Sequence, residues 1–165
     1  MKVAVISDIH DHEKNLRTAL QAAREAGCAV LCCAGDIEDV SILHLLGREW
    51  SGPLHLVFGN NEWDLEEHRV IAKLYPQICH HGSCGIFSLG DRCAAMAHYQ
   101  GRAERAAALE PKVTVLFYGH THRADLSRKD GLLLVNPGEI CGSRYGRGSF
   151  AVYDTEAHDV EYIWL

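Results

Sequence analysis

The stretch VAVISDIH at residues 3–10 decides the fold class of this protein. It begins with an apolar run that is typical of a strand buried on both faces. Two side chains able to bind a metal, Asp8 and His10, follow as soon as the run ends. A helical pattern of apolar residues then covers residues 12–26, with Asp11 as its expected N-cap. A strand, a polar strand end and a helix in this order are typical of an open α/β sheet.

The same pattern recurs along the first half of the chain. Apolar runs predict further strands over residues 29–34 and 54–58, and helices are predicted over residues 39–48 and 65–74. This alternation of strands and helices predicts a parallel sheet that is covered by helices.

The second half of the chain is richer in strands. We predict them over residues 86–89, 93–97, 113–118, 124–128, 132–135, 149–154 and 160–164. Turn signals at residues 129–131 and 154–159 separate neighbouring strands of this group. We expect a second sheet of largely antiparallel strands that faces the first, with helices outside.

Side chains that can bind metals directly follow five of the predicted strands. They are Asp8, His10, Asp36, Asn60, His98, His120 and His122. In an open α/β sheet the carboxyl ends of the strands form the ligand crevice, so we expect these side chains to converge. The spacing of two residues within a pair such as Asp8 and His10 directs both side chains to one side of an extended segment.

The chemistry of this set indicates a centre with two metal ions. Imidazole nitrogens and carboxylate oxygens bind first-row divalent ions, and the set is too large for one such ion. Two ions suit it if one carboxylate bridges them. We expect Asp36 to be the bridge, because its strand is predicted to lie between those of Asp8 and Asn60. About two net positive charges would then remain to attract a phosphate and activate a bridging water.

Five ordered motifs resemble the signature of the calcineurin-like metallophosphoesterases. They are Asp8-x-His10, Gly35-Asp36, Gly59-Asn60, His98 and Gly119-His120-Thr121-His122. The segments at residues 7–12, 59–62 and 136–139 are more closely similar to the small single-domain archaeal and bacterial phosphodiesterase branch of that family. The similarity covers nearly the whole chain.

The resemblance implies a four-layer α/β/β/α sandwich. The length of 165 residues, without a linker or repeat, predicts a single domain over residues 1–165. It implies that one ion is held by Asp8, His10, Asp36 and His122, and the other by Asp36, Asn60, His98 and His120. We expect Mn²⁺, with Ni²⁺, Fe²⁺, Zn²⁺ or Co²⁺ as alternatives, because mixed nitrogen and oxygen ligands suit all of them.

The resemblance favours a phosphodiesterase, in which a metal-bridging hydroxide attacks phosphorus in line without a covalent protein intermediate. The residues to which we assign catalysis are Asp8, Asp36, Asn60, Asn61 and His98. A phosphomonoesterase, or a non-catalytic protein-binding scaffold like the retromer subunit of the same fold, remains the alternative. Arg123, Arg144 and Arg147 are candidates for contact with phosphate.

Two positions depart from the family pattern. Larger members often carry a proton-donating histidine after the motif asparagine, but here that residue is Asn61, which cannot act as a comparable acid. Slow turnover of esters with weak leaving groups is therefore expected. Gln100 stands where relatives often have a second histidine after His98, so we expect Gln100 to face the substrate.

Composition narrows the partners and the location. A formal net charge of −6 argues against a groove for long nucleic acid, so a small phosphate ester is the expected substrate. Because we find neither an export signal nor a membrane segment, we expect a cytoplasmic protein that binds no membrane. The seven cysteines and the histidines outside the ligand set, including His55, His80 and His81, are interpreted mainly as structural. The sequence leaves open whether the chain is a homo-oligomer.

Overall fold

The computed structural model describes residues 1–165, which form eleven strands and four helices. In chain order these are β1 (Lys2–Ile6), α1 (Glu13–Glu25), β2 (Cys28–Cys33), α2 (Val40–Glu49), β3 (Leu54–Leu56), α3 (Leu65–Ala72), β4 (Ile78–His80), β5 (Gly85–Leu89), β6 (Arg92–Met96), α4 (Gln100–Leu109), β7 (Val113–Phe117), β8 (Ala124–Lys129), β9 (Leu132–Pro137), β10 (Ser149–Asp154) and β11 (Asp159–Trp164).

The strands form two mixed sheets. The first has the order β11-β10-β1-β2-β3-β4, in which the strands from β1 to β4 run parallel and the β10–β11 hairpin pairs antiparallel with β1. The second has the order β5-β6-β7-β9-β8, with parallel pairing of β7 to both β6 and β9 and antiparallel pairs at the two edges. The expectation of a largely antiparallel second sheet is therefore wrong, and β10 and β11 belong to the first sheet.

Helix α4 explains this difference, because parallel neighbours such as β6 and β7 need a crossover connection. The sequence pattern did not predict α4, whose buried side chains are only Ala103 and Ala107. Two alanines make a weak apolar face, so the periodicity is hard to recognise. Strand β4 was missed because it is a three-residue edge strand.

Three buried cores separate four layers, which confirms the α/β/β/α sandwich. Leu20 and Leu43 belong to the core between the first sheet and helices α1 to α3. Val5 and Phe117 lie in the core between the two sheets, and Leu116 packs with α4 on the outer face of the second sheet. Successive residues such as Leu116 and Phe117 thus enter different cores, because neighbouring side chains in a strand point to opposite faces.

Helix α1 begins one residue later than its predicted cap implied. His12 is the N-cap, and its Nδ1 accepts a hydrogen bond from the Asn15 amide at 3.3 Å. The carboxylate of Asp11 instead accepts from the amide of Asp39, at 2.9 Å. Asp11 therefore joins the loop after β1 to the start of α2.

The two predicted hairpin turns are confirmed. Lys129 pairs with Leu132 across a two-residue turn, and Asp154 pairs with Asp159 at the last hairpin. Asp130 and Gly131 have φ angles of 51° and 83°, as the turns that suit the twist of a hairpin require. Of the four helices, none has both the length and the apolar character needed to cross a lipid bilayer.

Candidate metal centre

The structure brings the seven predicted ligands together in one crevice. They lie on the loops after β1, β2 and β3 of the first sheet and after β6 and β7 of the second. Because these strands run parallel within each sheet, their carboxyl ends open on one side of the sandwich. We call the set the crevice cluster; its members are Asp8, His10, Asp36, Asn60, His98, His120 and His122.

The backbone of the crevice cluster is strained at most of its members. Their φ angles are 54° at Asp8, 45° at His10, 56° at Asp36, 68° at His120 and 62° at His122. Side chains rarely adopt this left-handed region, and doing so costs on the order of 1 kcal/mol or more per residue. Such strain persists where the surrounding structure holds it for a functional site.

One half of the crevice cluster surrounds Asp8. The Nε2 atoms of His122 and His10 lie 3.4 Å and 3.9 Å from Asp8 Oδ1. The two imidazole rings stack, with centroids 5.0 Å apart and planes 12° from parallel. Ligands about 2.1 Å from a common ion lie about 3.0 to 3.4 Å from one another, so this spacing nearly matches a shared metal.

Asp36 connects this half to the other. Its Oδ2 lies 3.6 Å from His10 Nε2 and 3.4 Å from His98 Nε2. Its Oδ1 accepts the backbone amide of Asn60 at 2.7 Å, and this bond places the loop after β3 against the crevice. In that loop the side-chain oxygen of Asn60 lies 3.0 Å from His120 Nδ1.

Buried polar atoms without partners support a fit to metal ions. Asp8 Oδ1, His10 Nε2 and His98 Nε2 are buried and make no hydrogen bond in the structure. An unpaired polar atom costs about 1 to 3 kcal/mol, so native proteins keep few of them. Here all three face the same crevice, and nitrogen and oxygen atoms so placed suit divalent cations.

In three of the four crevice histidines, the ring nitrogen on the far side from the crevice has a partner. The Nδ1 of His10 lies 2.6 Å from Glu38 Oε1, and that of His122 lies 2.7 Å from Glu139 Oε2. The Nδ1 of His98 donates to the carbonyl oxygen of Ala34 at 2.8 Å. Acceptors at Nδ1 fix the tautomer that leaves Nε2 free to bind a metal.

The pKa values of the two crevice carboxylates shift in opposite directions, because burial dominates at one and hydrogen-bond donors dominate at the other. Burial raises the pKa of Asp8 above its usual value, and this outweighs the opposing charges of His98 and His122. Burial would also raise the pKa of Asp36, but His98 and the amide donors of Asn60 and Asn61 hold it well below its usual value. Asp36 is thus kept as a carboxylate, which a bridging position requires.

Glu62 holds the two central loops in place. One of its carboxylate oxygens accepts from the Ile37 amide at 3.0 Å, and the other accepts from the Gly59 amide at 2.7 Å. A side chain at residue 59 would collide with the Asp36 carboxylate, so glycine is required there. The structure thus places Glu62 under the crevice, where it joins the loops after β2 and β3.

Three neighbours of the crevice were not identified from the sequence. Tyr99 donates its hydroxyl to Asn60 Oδ1 at 3.1 Å, and its ring lies 4.4 Å from that of His120. Cys141 has its sulfur within 4.8 Å of the ligand nitrogens of two crevice histidines. Glu38 is the third. None of them follows an apolar run directly, so the strand-end pattern could not mark them.

The remaining candidates lie in different positions. Asn61 turns its side-chain amide to Asp36 Oδ2, at 2.7 Å. Gln100 donates to Glu104 along α4, at 3.2 Å, so Tyr99 rather than Gln100 contacts the crevice cluster. Arg147 stacks over the ring of Trp164, with its guanidinium 4.6 Å from the ring centre. Arg123 and Arg144 are exposed.

Comparison with known proteins agrees with this geometry. A model of the calcineurin-like phosphoesterase superfamily domain matches residues 1–158. A curated phosphodiesterase of Methanocaldococcus jannaschii is 24% identical over 176 residues, which span 100% of this chain and 99% of that protein. Among solved structures, an archaeal phosphodiesterase has a TM-score of 0.89 at 24% identity, with 100% of both chains covered. Vps29 of Entamoeba histolytica, complexed with Zn²⁺, has a TM-score of 0.68 at 16% identity over 100% of this chain and 98% of that one.

These findings define the class of the protein, which is a hydrolase that acts on phosphoric esters. The chain belongs to the calcineurin-like phosphoesterase superfamily.

Proposed function

We propose that the protein is a phosphodiesterase that works with two divalent metal ions bound by the crevice cluster. The observation that carries this proposal is the position of Asp36, whose Oδ2 lies within 3.6 Å of one histidine and 3.4 Å of another. A carboxylate with a histidine on each side is suited to bridge two ions, since ligands of one ion lie about 3.0 to 3.4 Å apart.

The ligands divide into two groups that share Asp36. One ion is assigned to Asp8, His10, Asp36 and His122, and the other to Asp36, Asn60, His98 and His120. Mn²⁺ is the proposed ion, and Ni²⁺, Fe²⁺, Zn²⁺ and Co²⁺ are alternatives with the same donor preference. When bound, such ions polarise a phosphoryl group and lower the pKa of an attacking water.

The residues around the ions define what the crevice can do. Glu38 and Glu139 orient two of the ligand imidazoles, so the Nε2 atoms point inward before any ion arrives. Asn61 lies against Asp36 and has no proton to give to a leaving group at neutral pH. Esters whose leaving group departs without a proton are therefore the proposed substrates, such as aryl diesters.

A diester is preferred over a monoester for two reasons. The relative from M. jannaschii carries the name phosphodiesterase. The resemblance also implies that Asn61 stands where larger members carry a proton-donating histidine. The wider proposal is a single domain over residues 1–165 that binds a small phosphate ester rather than long nucleic acid or a membrane. Seven unpaired cysteines support a reducing compartment such as the cytoplasm.

The test is turnover of bis(p-nitrophenyl) phosphate and of p-nitrophenyl phosphate by manganese-loaded protein. We expect faster hydrolysis of the diester, and a loss of about 10²- to 10³-fold in Asp36→Asn, which weakens the bridge. The exposed Asp91 gives a matched control, and Asp91→Asn should keep full activity. Faster hydrolysis of the monoester would replace the diesterase with a phosphomonoesterase.

Metal binding alone does not separate an enzyme from a scaffold, because a protein of this fold can bind ions without hydrolysing an ester. Metal content must therefore be measured on the protein used for the assay. Two ions per chain with no turnover of either ester would contradict an enzyme and support a protein-binding scaffold.

A further inference from the structure

A second group of potential metal ligands lies at the edge of the first sheet, outside the crevice. His55 is on β3, Cys79 is on β4, and His81 directly follows β4. Their ligand atoms all lie within 4.8 Å of one another. We call these three residues the edge cluster. We propose that the edge cluster is a separate metal site, which binds one zinc-like ion through two imidazole nitrogens and one thiolate.

Strand register builds the edge cluster. Strands β3 and β4 pair in parallel with His55 opposite Cys79, so these two side chains lie on the same face. The amide of His81 donates to the carbonyl of Leu56 at 2.8 Å and continues the pairing beyond β4. Residues 79 and 81 are two apart in an extended segment, so they also share a face.

That face is turned toward the second sheet. Leu56, next to His55 on β3, packs into the core under the helices, so His55 points the other way. There the ring of Phe87 from β5 stacks on His55 at 3.9 Å, with planes only 5° apart, and lies 5.0 Å from His81. The aromatic wall holds both imidazoles in nearly parallel planes, so their orientation is set before an ion binds.

The distance between the imidazoles is close to that of two ligands on one metal. His55 Nδ1 lies 2.9 Å from His81 Nε2, whereas two nitrogens on a tetrahedral zinc ion lie about 3.3 Å apart. Separating them by a few tenths of an ångström admits the ion. Cys79 is exposed, so its sulfur can reach the ion from the solvent side, and water can take the fourth position.

The protonation state of the edge cluster also suits a metal. Burial lowers the pKa of His55 to about 4, with a further contribution from His81, and burial lowers the pKa of His81 as well. Lower pKa values favour neutral rings, and a neutral imidazole offers a free ligand nitrogen when its single hydrogen lies on the outer ring nitrogen, away from the 2.9 Å contact. Binding displaces one proton, from the Cys79 thiol, because the thiolate is the form that binds metals.

The donor set distinguishes this site from the crevice cluster. A thiolate with two imidazoles favours Zn²⁺ and related soft or borderline ions, whereas carboxylates and an amide also suit Mn²⁺. The edge cluster should therefore select zinc over manganese. It joins β4 to β3 through side chains, at a place where β4 is a three-residue edge strand.

The test is a titration of metal-free protein with Co²⁺, which reports a thiolate ligand by a charge-transfer absorption band in the near ultraviolet. We expect the wild-type chain to reach the band intensity of one thiolate-bound cobalt ion per chain, whatever the crevice binds, and we expect Cys79→Ser to lose the band. Cys141, the thiol beside the crevice, provides the control, and Cys141→Ser should keep the band. Zinc content should fall by one ion per chain in Cys79→Ser.

Three results would overturn the proposal: no band at all, a band that survives in Cys79→Ser but disappears in Cys141→Ser, or a band that needs a large excess of cobalt. A second variant, Asp36→Asn, separates this proposal from the phosphodiesterase. We expect it to lose turnover and to keep the band, since Asp36 lies in the crevice only. Turnover in Cys79→Ser should stay within twofold of wild type.

Discussion

The crevice cluster and the edge cluster use the same side chain, histidine, in two different structural settings. The crevice histidines lie on loops. Three of the four have a left-handed backbone, namely His10, His120 and His122. The edge histidines lie on or beside regular strands, where register alone places them. Loops collect ligands from five strand ends into one centre, whereas a strand pair offers only the few side chains that face each other.

The surroundings of the histidines differ as well. Carboxylates support two of the crevice histidines, with Glu38 behind His10 and Glu139 behind His122. At the edge, Phe87 stacks on the imidazoles and makes no hydrogen bond to them. Carboxylates fix a tautomer and add negative charge, which suits hard divalent ions. An aromatic wall only orients the rings, so metal choice there depends on the ligands themselves.

The largest expected difference between the clusters is in catalysis. His98→Ala should lower diester turnover by about 10²- to 10³-fold, because a proposed ligand of the second ion is lost. His55→Ala should leave turnover within about twofold of wild type, since His55 lies outside the crevice. Initial rates with saturating Mn²⁺, with circular dichroism to check folding, measure both. Equal losses in the two variants would show that the clusters are not separate.

The next effect concerns the carboxylate that supports a crevice histidine. Glu139→Gln should weaken binding of metal at the crevice by about 10- to 100-fold, as loss of a carboxylate behind a ligand histidine does. Glutamine keeps the shape of the side chain but not its charge. Calorimetric titration with Mn²⁺ measures this, and the exposed Glu156→Gln is the control. Unchanged affinity in Glu139→Gln would mean that His122 needs no such partner.

A smaller effect is expected from the carboxylate that joins the crevice loops. Glu62→Gln should lower the free energy of unfolding by about 1 to 3 kcal/mol. Its NH₂ group replaces one carboxylate oxygen and cannot accept the hydrogen bond that this oxygen received, from either the Ile37 or the Gly59 amide. Urea denaturation of the metal-free protein measures it. Glu66→Gln, on the exposed face of α3, should change it by less than about 0.5 kcal/mol.

The smallest effect is the pH dependence that the edge cluster adds to stability. Since the pKa of His55 falls from 6.5 to about 4 on folding, the unfolded chain binds more protons between those values. The contribution of His55 to the free energy of unfolding is fully present above pH 6.5 and is lost as the pH falls toward 4. It amounts to about 1 kcal/mol after allowance for solvent exposure. Urea titrations of metal-free wild type and His55→Gln should therefore diverge over this range. Parallel pH profiles would contradict the assignment.

The sequence predicted the crevice well because its signal is local. Each ligand stands within a few residues of the end of an apolar run, as in residues 3–10. The same short segment therefore shows both where the strand ends and which side chain follows it. The order of β1, β2 and β3 also followed from the alternation of strands and helices, and Asp36 does lie between its two neighbours.

The topology of the second sheet was not predictable from the same signals. A strand has the same alternating pattern whether its neighbour is parallel or antiparallel, and α4 buries only small side chains. When α4 is not recognised in the sequence, β6 and β7 look like consecutive antiparallel strands of a hairpin. For the same reason β10 and β11 could not be placed in the first sheet from their sequences.

The sequence by itself thus determined the sandwich, the strand ends and the residues that stand there, because these depend on short-range pattern and on family motifs. Only the tertiary structure decided which groups support them, such as Glu38 behind His10 and Glu62 beneath the loops, and which histidines form the edge cluster. The contacts of His10 with Glu38, of Glu62 with Ile37 and of His55 with His81 join residues 25 to 28 positions apart in the chain. Packing and strand register, which no local pattern encodes, bring them within a few ångströms.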